Sequence, residues 1–174
     1  MDVKTLCLGV LSLGDATGYE IRKMFEEGPF AHFFDASYGS IYPALGRLLK
    51  DGFVNVTEEA QAGRPDKKIY HLTDSGLTCF KQALAEPPGR DRIRSESIVR
   101  LFFAEMMEPD DIRRVYDEYL AHFETMAAQM RELKPEGIPS ERLFARSLGL
   151  NFYSSMVQHM REHRDDFMSE VKND

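Results

Sequence analysis

Ser37-Tyr38-Gly39-Ser40-Ile41-Tyr42-Pro43-Ala44-Leu45-Gly46-Arg47-Leu48-Leu49-Lys50 is the stretch on which the fold turns. Ser37 is placed to cap a helix that ends before Gly52, and Ile41, Leu45, Leu48 and Leu49 recur at the spacing of one buried helical face. The opposite face carries Gly39, Ser40, Pro43, Gly46, Arg47 and Lys50, with Tyr38 and Tyr42 at its margin. No acidic residue stands between Ser37 and Lys50, in a chain with 22 basic and 29 acidic residues. Each glycine costs a helix about 1 kcal/mol relative to alanine. That loss makes sense where another surface must approach the backbone closely. A marginal tyrosine can pack its ring inward while its hydroxyl reaches a phosphate oxygen. A glycine-weakened surface helix with solvated charges has the same letters, so the face needs its context. Pro43 removes one backbone donor and predicts a kink.

Upstream, Val3, Leu6, Cys7, Val10 and Leu11 keep a helical period, and Gly14-Asp15-Ala16-Thr17-Gly18 reads as a turn. Thr17 with Glu20 forms a capping box for a second helix running to about Glu27, with Ile21, Met24 and Phe25 inward and Gly28-Pro29 as its stop. Phe30, Phe33 and Phe34 follow in a loop expected to fold back on the core. Downstream the period changes to two. Phe53, Val54, Val56 and Thr57 predict one strand and Ile69, Tyr70, His71 and Leu72 another, around the polar loop Gln61–Lys67. Thr73-Asp74 then cap a fourth helix through about Leu84, with Leu77, Phe80 and Leu84 inward.

Three helices, a hairpin and a fourth helix form the order of a winged helix-turn-helix, whose third helix enters the major groove and whose hairpin loop touches an adjacent backbone or groove. Arg64, Lys67 and Lys68 lie in that wing, and Arg64 sits on a stiff tip between Gly63 and Pro65, an arrangement suited to a narrow minor groove. The candidate DNA-binding set is therefore Ser37, Tyr38, Gly39, Ser40, Tyr42, Arg47, Lys50, Arg64, Lys67 and Lys68.

Glu86-Pro87-Pro88-Gly89-Arg90-Asp91 forbids a continuous helix and marks the boundary. We read residues 1–85 as the DNA-binding domain, 86–95 as linker and 96–174 as an all-α dimerisation domain, a mainly α protein with a small β-hairpin. Ile98, Leu101, Phe102 and Met106 open the second half, and Pro109 with Asp110-Asp111 starts a long helix. One apolar stripe runs from Ile112 through Tyr116, Tyr119, Phe123, Met126 and Met130 to Leu133; a second runs from Leu143/Phe144 through Leu148, Phe152, Met156 and Met160 to Phe167. Two isolated helices cannot bury such faces, so Phe102, Tyr119, Phe123, Met126, Met130, Phe152, Met156 and Met160 are expected at a homodimer interface. The methionines also suit an adaptable pocket for a small-molecule effector.

The motifs Leu8-Gly9-Val10-Leu11, Gly18-Tyr19-Glu20-Ile21, the run Ser37–Leu45, Leu48 with Asp51-Gly52, Gly63-Arg64-Pro65, and Tyr70-His71-Leu72-Thr73 with Gly76 resemble the PadR family of bacterial transcriptional regulators. The resemblance covers residues 3–85 and implies a winged-helix fold, dimeric binding to a double-stranded operator, and usually repression. It also implies that Ser37, Tyr38, Ser40, Tyr42 and Arg64 approach DNA, and that the long tail supplies dimer contacts. No effector-pocket motif is recognisable in that tail.

Composition bounds the alternatives. With 43% apolar and 11% aromatic residues over 174 positions the chain is of the globular class, not the disordered or disulfide-scaffold class. Cys7 and Cys79 sit in apolar helical patterns, as reduced thiols of a cytoplasmic protein would. No run of eighteen apolar residues predicts a membrane span, and Met1–Leu6 lacks a signal-peptide core. Residues 1–85 hold 9 basic and 11 acidic residues and 86–174 hold 13 and 18, which excludes a non-specific polycation but allows one basic face. His159-Met160-Arg161-Glu162-His163 spells the inverted zinc-protease pattern, yet only eleven residues remain downstream for a third ligand. No phosphate loop, nucleophile elbow or cofactor motif is present, so no catalysis and no cofactor are expected. The remaining rivals are a winged-helix adaptor that turns its basic face to a protein, and a small-molecule-sensing module without an operator.

Overall fold

The computed structural model describes residues 1–28, 31, 38–60, 67–91, 93–132 and 136–170, and divides the chain into two compact units, Met1–Asp91 and Arg92–Asp174.

In the first unit Asp2 caps α1 (Val3–Leu11) by accepting from the Thr5 backbone N–H at 2.9 Å. The helix buries Leu6, Cys7, Leu8, Val10 and Leu11 and lies against the other helices and one strand of the unit. The turn expected after it contains a two-residue strand, β1 (Ala16–Thr17), which pairs antiparallel with Tyr70 and Ile69. A strand this short has no period to read, so the sequence shows only its turn residues. Thr17 then caps α2 (Gly18–Glu26) through the expected capping box: the Glu20 N–H donates to the Thr17 hydroxyl at 3.2 Å, and the Thr17 N–H to the Glu20 carboxylate at 2.8 Å. Ile21 and Phe25 are buried; Met24 is only partly so.

α3 (Tyr38–Lys50) continues through Pro43 and ends in a Schellman turn. Gly52 takes φ +74°, its N–H donates to Leu49 O at 3.2 Å, and the Phe53 N–H donates to Leu48 O at 2.9 Å. That left-handed position is why glycine stands there. β2 (Val54–Glu59) and β3 (Lys67–Leu72) pair antiparallel with Val54 opposite Leu72 and Glu59 opposite Lys67, giving the order β1-β3-β2. Thr73 caps α4 (Asp74–Ala85), and its hydroxyl also lies 2.9 Å from Gly52 O and 3.0 Å from Phe53 O, which ties the start of α4 to the α3–β2 junction. The spacing places Leu84 inward, but it is exposed: it falls in the last turn of α4, beyond the reach of the core.

The second unit holds α5 (Glu96–Phe102), a 3-10 turn at Ala104–Met106, α6 (Pro109–Glu132) and α7 (Ser140–Glu170). α6 and α7 run antiparallel. Tyr116 donates to Met160 O, Arg164 pairs with Asp117 at 2.9 Å, Arg161 with Glu124 at 2.7 Å, and Arg131 donates to Ser154 at 2.9 Å. Arg146 donates to Met130 O and Arg131 O, carbonyls of the last turn of α6 that the helix cannot satisfy itself. Tyr116, Phe123, Ala127, Met130, Tyr153 and Met160 form one buried cluster of this pair. Among the described residues no helix is long and apolar enough to cross a membrane.

The Glu20 carboxyl is held below its ordinary value chiefly by the Thr17 backbone N–H, then by the Thr17 hydroxyl. Its folded value lies below the unfolded one, so its contribution is present above the usual carboxylate range and is lost as pH falls through the lowered value. Thr17→Ala should cost about 1 kcal/mol in urea denaturation at neutral pH. Glu20→Ala should also destabilise at neutral pH, and its difference from the parent should shrink in acid; a difference that persists unchanged in acid would contradict the capping role.

Candidate nucleic-acid interface

Ile41 and Leu45 are wholly buried, Leu48 is 2% exposed and Ala44 5%, which fixes one face of α3 in the core of the first unit. Leu49, which the spacing placed on that face, is 40% exposed: it lies 100° round the helix from Leu48, past the edge of the core, and Ala44 takes the inward place. The outward face presents Gly39, Tyr42, Pro43, Gly46, Arg47 and Lys50, all exposed, with Ser40 half-buried beside them. A side chain built at Gly39 or Gly46 would meet nothing within 4 Å, so nothing within the described chain demands glycine at either position. Among the described residues neither Arg47 nor Lys50 enters an ion pair. Both stand in the last turn, where the helix dipole favours cations.

Tyr42 reaches across to the start of α2. A Cβ at Gly18 would lie 2.6 Å from Tyr42 Cε1, so the absent side chain of Gly18 is what admits the ring. The ring is thereby held while the residue stays 45% exposed. Gly18 was legible in the sequence only as part of a motif, because a glycine opening a helix does not announce which ring will rest on it.

The wing is placed in part. Lys67 and Lys68 belong to β3 and not to the loop, a correction that follows from ladder pairing running out to Glu59 and Lys67. Lys68 pairs with Glu58 at 3.2 Å, the residue directly opposite it. Ser37, Arg64 and the rest of 61–66 lie outside the described residues, as do Phe30, Phe33 and Phe34; of Tyr38 only the backbone is described. His71 bridges the base of the sheet, with Nε2 2.7 Å from the Thr57 hydroxyl and Nδ1 2.9 Å from Asp15.

The expected dimer residues separate into three groups. Phe123, Met130 and Met160 are buried at 5%, 2% and 5% between α6 and α7 of one chain, so the expectation that they face a second chain is corrected. Tyr119, Met126 and Met156 pack partly against the same core. Phe102 and Phe152 are exposed, and with Phe152 stand Phe144 and Leu148 at intervals of four along α7. The second unit also contains a cleft of about 380 Å³, lined by α5, α6 and α7 residues that include Leu101, Tyr119, His159 and His163. His159 and His163 belong to the protease-like pattern, but among the described residues no group of three or more His, Cys, Asp or Glu side chains can hold a metal.

Three comparisons place these features. The model of the transcriptional regulator PadR-like family matches residues 7–82. The negative transcriptional regulator PadR of Bacillus subtilis is 27% identical over 160 residues, 90% of this chain and 83% of that protein. The crystal structure of a PadR-like transcriptional regulator from Bacillus cereus superposes with a TM-score of 0.82 at 27% identity, covering 97% of this chain and 99% of that one. Bacillus subtilis PadR in complex with operator DNA shares the fold, with a TM-score of 0.76 at 21% identity over 97% and 98% of the two chains.

Gly46→Ala separates a structural from a recognition role. Alanine meets open space there and is the better helix former, so stability should rise, by up to about 1 kcal/mol. Binding to DNA should weaken, because a methyl then stands where a surface must approach. Thermal denaturation and a gel-shift titration on the same preparation check both signs; affinity that rises together with stability would remove Gly46 from the interface.

Proposed function

Residues 7–82 belong to the transcriptional regulator PadR-like family, and from that premise we propose that the chain is a sequence-specific DNA-binding transcriptional regulator acting as a homodimer on an inverted-repeat operator. The observation that carries this reading is α3: one face sealed in the core, the other acid-free, with two glycines that nothing in the described chain requires and cations at its end. Such a face suits close approach of a polyanion to a helix backbone. Repression is the direction we favour, because the Bacillus subtilis relative is a negative regulator. In this reading the N-terminal unit binds DNA, the C-terminal unit joins two copies, the protein works in the cytoplasm, and it needs neither cofactor nor catalysis.

The recognition set is Ser37, Tyr38, Gly39, Ser40, Tyr42, Arg47 and Lys50 on or beside α3, with Arg64, Lys67 and Lys68 on the wing. Lys68 contributes least, since Glu58 already pairs with it. The pairing surface is the ridge Phe144–Leu148–Phe152 with Phe102, large apolar side chains that one chain leaves in water. A dimer fixes the distance between two recognition helices, and half-sites should lie about one helical turn apart. An adaptor that used the same face on a protein would select no sequence, so sequencing DNA fragments retained by the purified protein decides between them.

Arg47→Ala should weaken operator binding by about 1–3 kcal/mol and leave thermal stability unchanged, as its side chain has no ion pair among the described residues to lose. Leu148→Glu puts a charge in the middle of the ridge. Sedimentation should then show a monomer, and operator affinity should fall by roughly 10²–10⁴ because the two half-site contacts are no longer linked. A Leu148→Glu protein that stays dimeric and binds normally would exclude this ridge as the pairing surface.

A further inference from the structure

We propose that His159 and His163 form a chelating site for a borderline divalent transition metal ion, of the zinc, nickel or copper class, at the rim of the cleft in the C-terminal unit. Neither the DNA reading nor the dimer reading assigns these residues a role, and the site does not depend on either.

The two histidines stand at i and i+4 on α7, one turn apart on the same side, and both are exposed. Their ring centroids are 4.3 Å apart with the planes inclined by 31°, so the two imidazoles lie side by side, close enough for one ion to reach both. The tautomer of His163 follows from its hydrogen bond. Its Nδ1 lies 2.9 Å from the backbone carbonyl of His159, and a carbonyl only accepts. The proton is therefore on Nδ1, and Nε2 carries the lone pair. A ring N–H to a backbone carbonyl is the arrangement that orients ligating histidines and fixes which nitrogen binds the metal.

The surroundings suit a cation. Arg161 and Arg164, the nearest guanidiniums along α7, are each paired with a carboxylate of α6, Glu124 at 2.7 Å and Asp117 at 2.9 Å, so they do not oppose a positive ion at full strength. The whole chain has a net charge of −7. Neutral imidazole is a ligand of zinc, copper and nickel and a poor one for magnesium or calcium, which sets the class of ion. Glu162 lies between the histidines in sequence, but its carboxylate accepts from Gln158 Nε2 at 2.8 Å. Two imidazoles come from the chain and water fills the remaining positions. With no third side-chain ligand among the described residues, the site holds an ion reversibly and is not a hydrolytic centre of the three-ligand kind.

Both histidines line the same cleft as Leu101 and Phe102 of α5. An ion that bridges His159 to His163 clamps one turn of α7 beside that cleft, so occupancy adds to the stability of the folded unit according to ion concentration over dissociation constant.

The test uses the untagged full-length protein and zinc chloride or nickel chloride alone. Calorimetric titration should show one ion per chain, thermal denaturation should shift upward with added ion, and the ring-proton NMR signals of both histidines should move. His159→Ala and His163→Ala should each lower affinity by roughly tenfold or more, about 1.4 kcal/mol, with helix content unchanged; His122→Ala should leave affinity intact. Absence of uptake would overturn the proposal, and so would uptake that survives both substitutions, since the ion would then be held elsewhere, as on a thiol.

Discussion

Everything proposed for the first unit depends on the one-sided burial of α3. Ile41, Ala44, Leu45 and Leu48 are sealed to 5% exposure or less. Burying an isoleucine or leucine side chain contributes roughly 1.5–3 kcal/mol, so Ile41, Leu45 and Leu48 outweigh two exposed glycines at about 1 kcal/mol each. The helix is held chiefly by its inward face. Its outward face is released from structural duty and can carry residues chosen for what they touch. Gly18 extends the same logic to a neighbour: the space left by its missing side chain holds the Tyr42 ring at the edge of that face.

In the second unit a single helix serves two purposes because of its pitch. Phe144, Leu148, Phe152, Met156 and Met160 read as one stripe, but steps of four advance about 40° each on a helix of 3.6 residues per turn. Four steps carry the line nearly half-way round. Phe144 and Leu148 consequently end at 66% and 58% exposure, while Met160 ends at 5%. The inward line is Gly149, Tyr153 and Met160, with Leu150, Val157 and Phe167 beside it. Tyr116 stacks on Phe167 at 5.6 Å, and the Arg–carboxylate rungs hold the register between α6 and α7. What the pattern suggested as one dimer face is thus an intramolecular core at one end and an outward ridge at the other.

That drift also shows how much of the molecule the letters disclose. Element types, the capping box at Thr17 and Glu20, and the winged-helix order were all legible, because caps act through three residues and amphipathic periods through one helix. Exposure at element ends was not. Leu49 and Leu84 are leucines at plausible spacing that fall past the edge of the core, a limit set by neighbouring elements and not by the helix itself. β1 is too short to have a period, and the outer end of the hairpin depends on which residues find ladder partners, which placed Lys67 and Lys68 on the strand. Within the candidate interface, the exposed glycines and the cations of α3 could be read from its period. The Gly18–Tyr42 contact and the Glu58–Lys68 pair could not, since the first joins residues of different helices and the second depends on the register of the hairpin.

The charge distribution gives the proposed interface its direction. A chain with net charge −7 is repelled by a nucleic acid over most of its surface, and this repulsion weakens non-specific association wherever acids face the phosphates. The acid-free outward face of α3 is where the repulsion lapses and Arg47 and Lys50 replace it with attraction. On the proposed reading, productive encounters are selected by orientation before any base edge is read, and acidic faces are disfavoured by their charge. An interface with two cations on α3 would neutralise few phosphates per copy, so in the proposed reading most of the affinity comes from close contact at α3 and from linking two copies. A helix face stripped of side chains at Gly39 and Gly46 is consistent with that requirement, because it shortens the distance over which those contacts act.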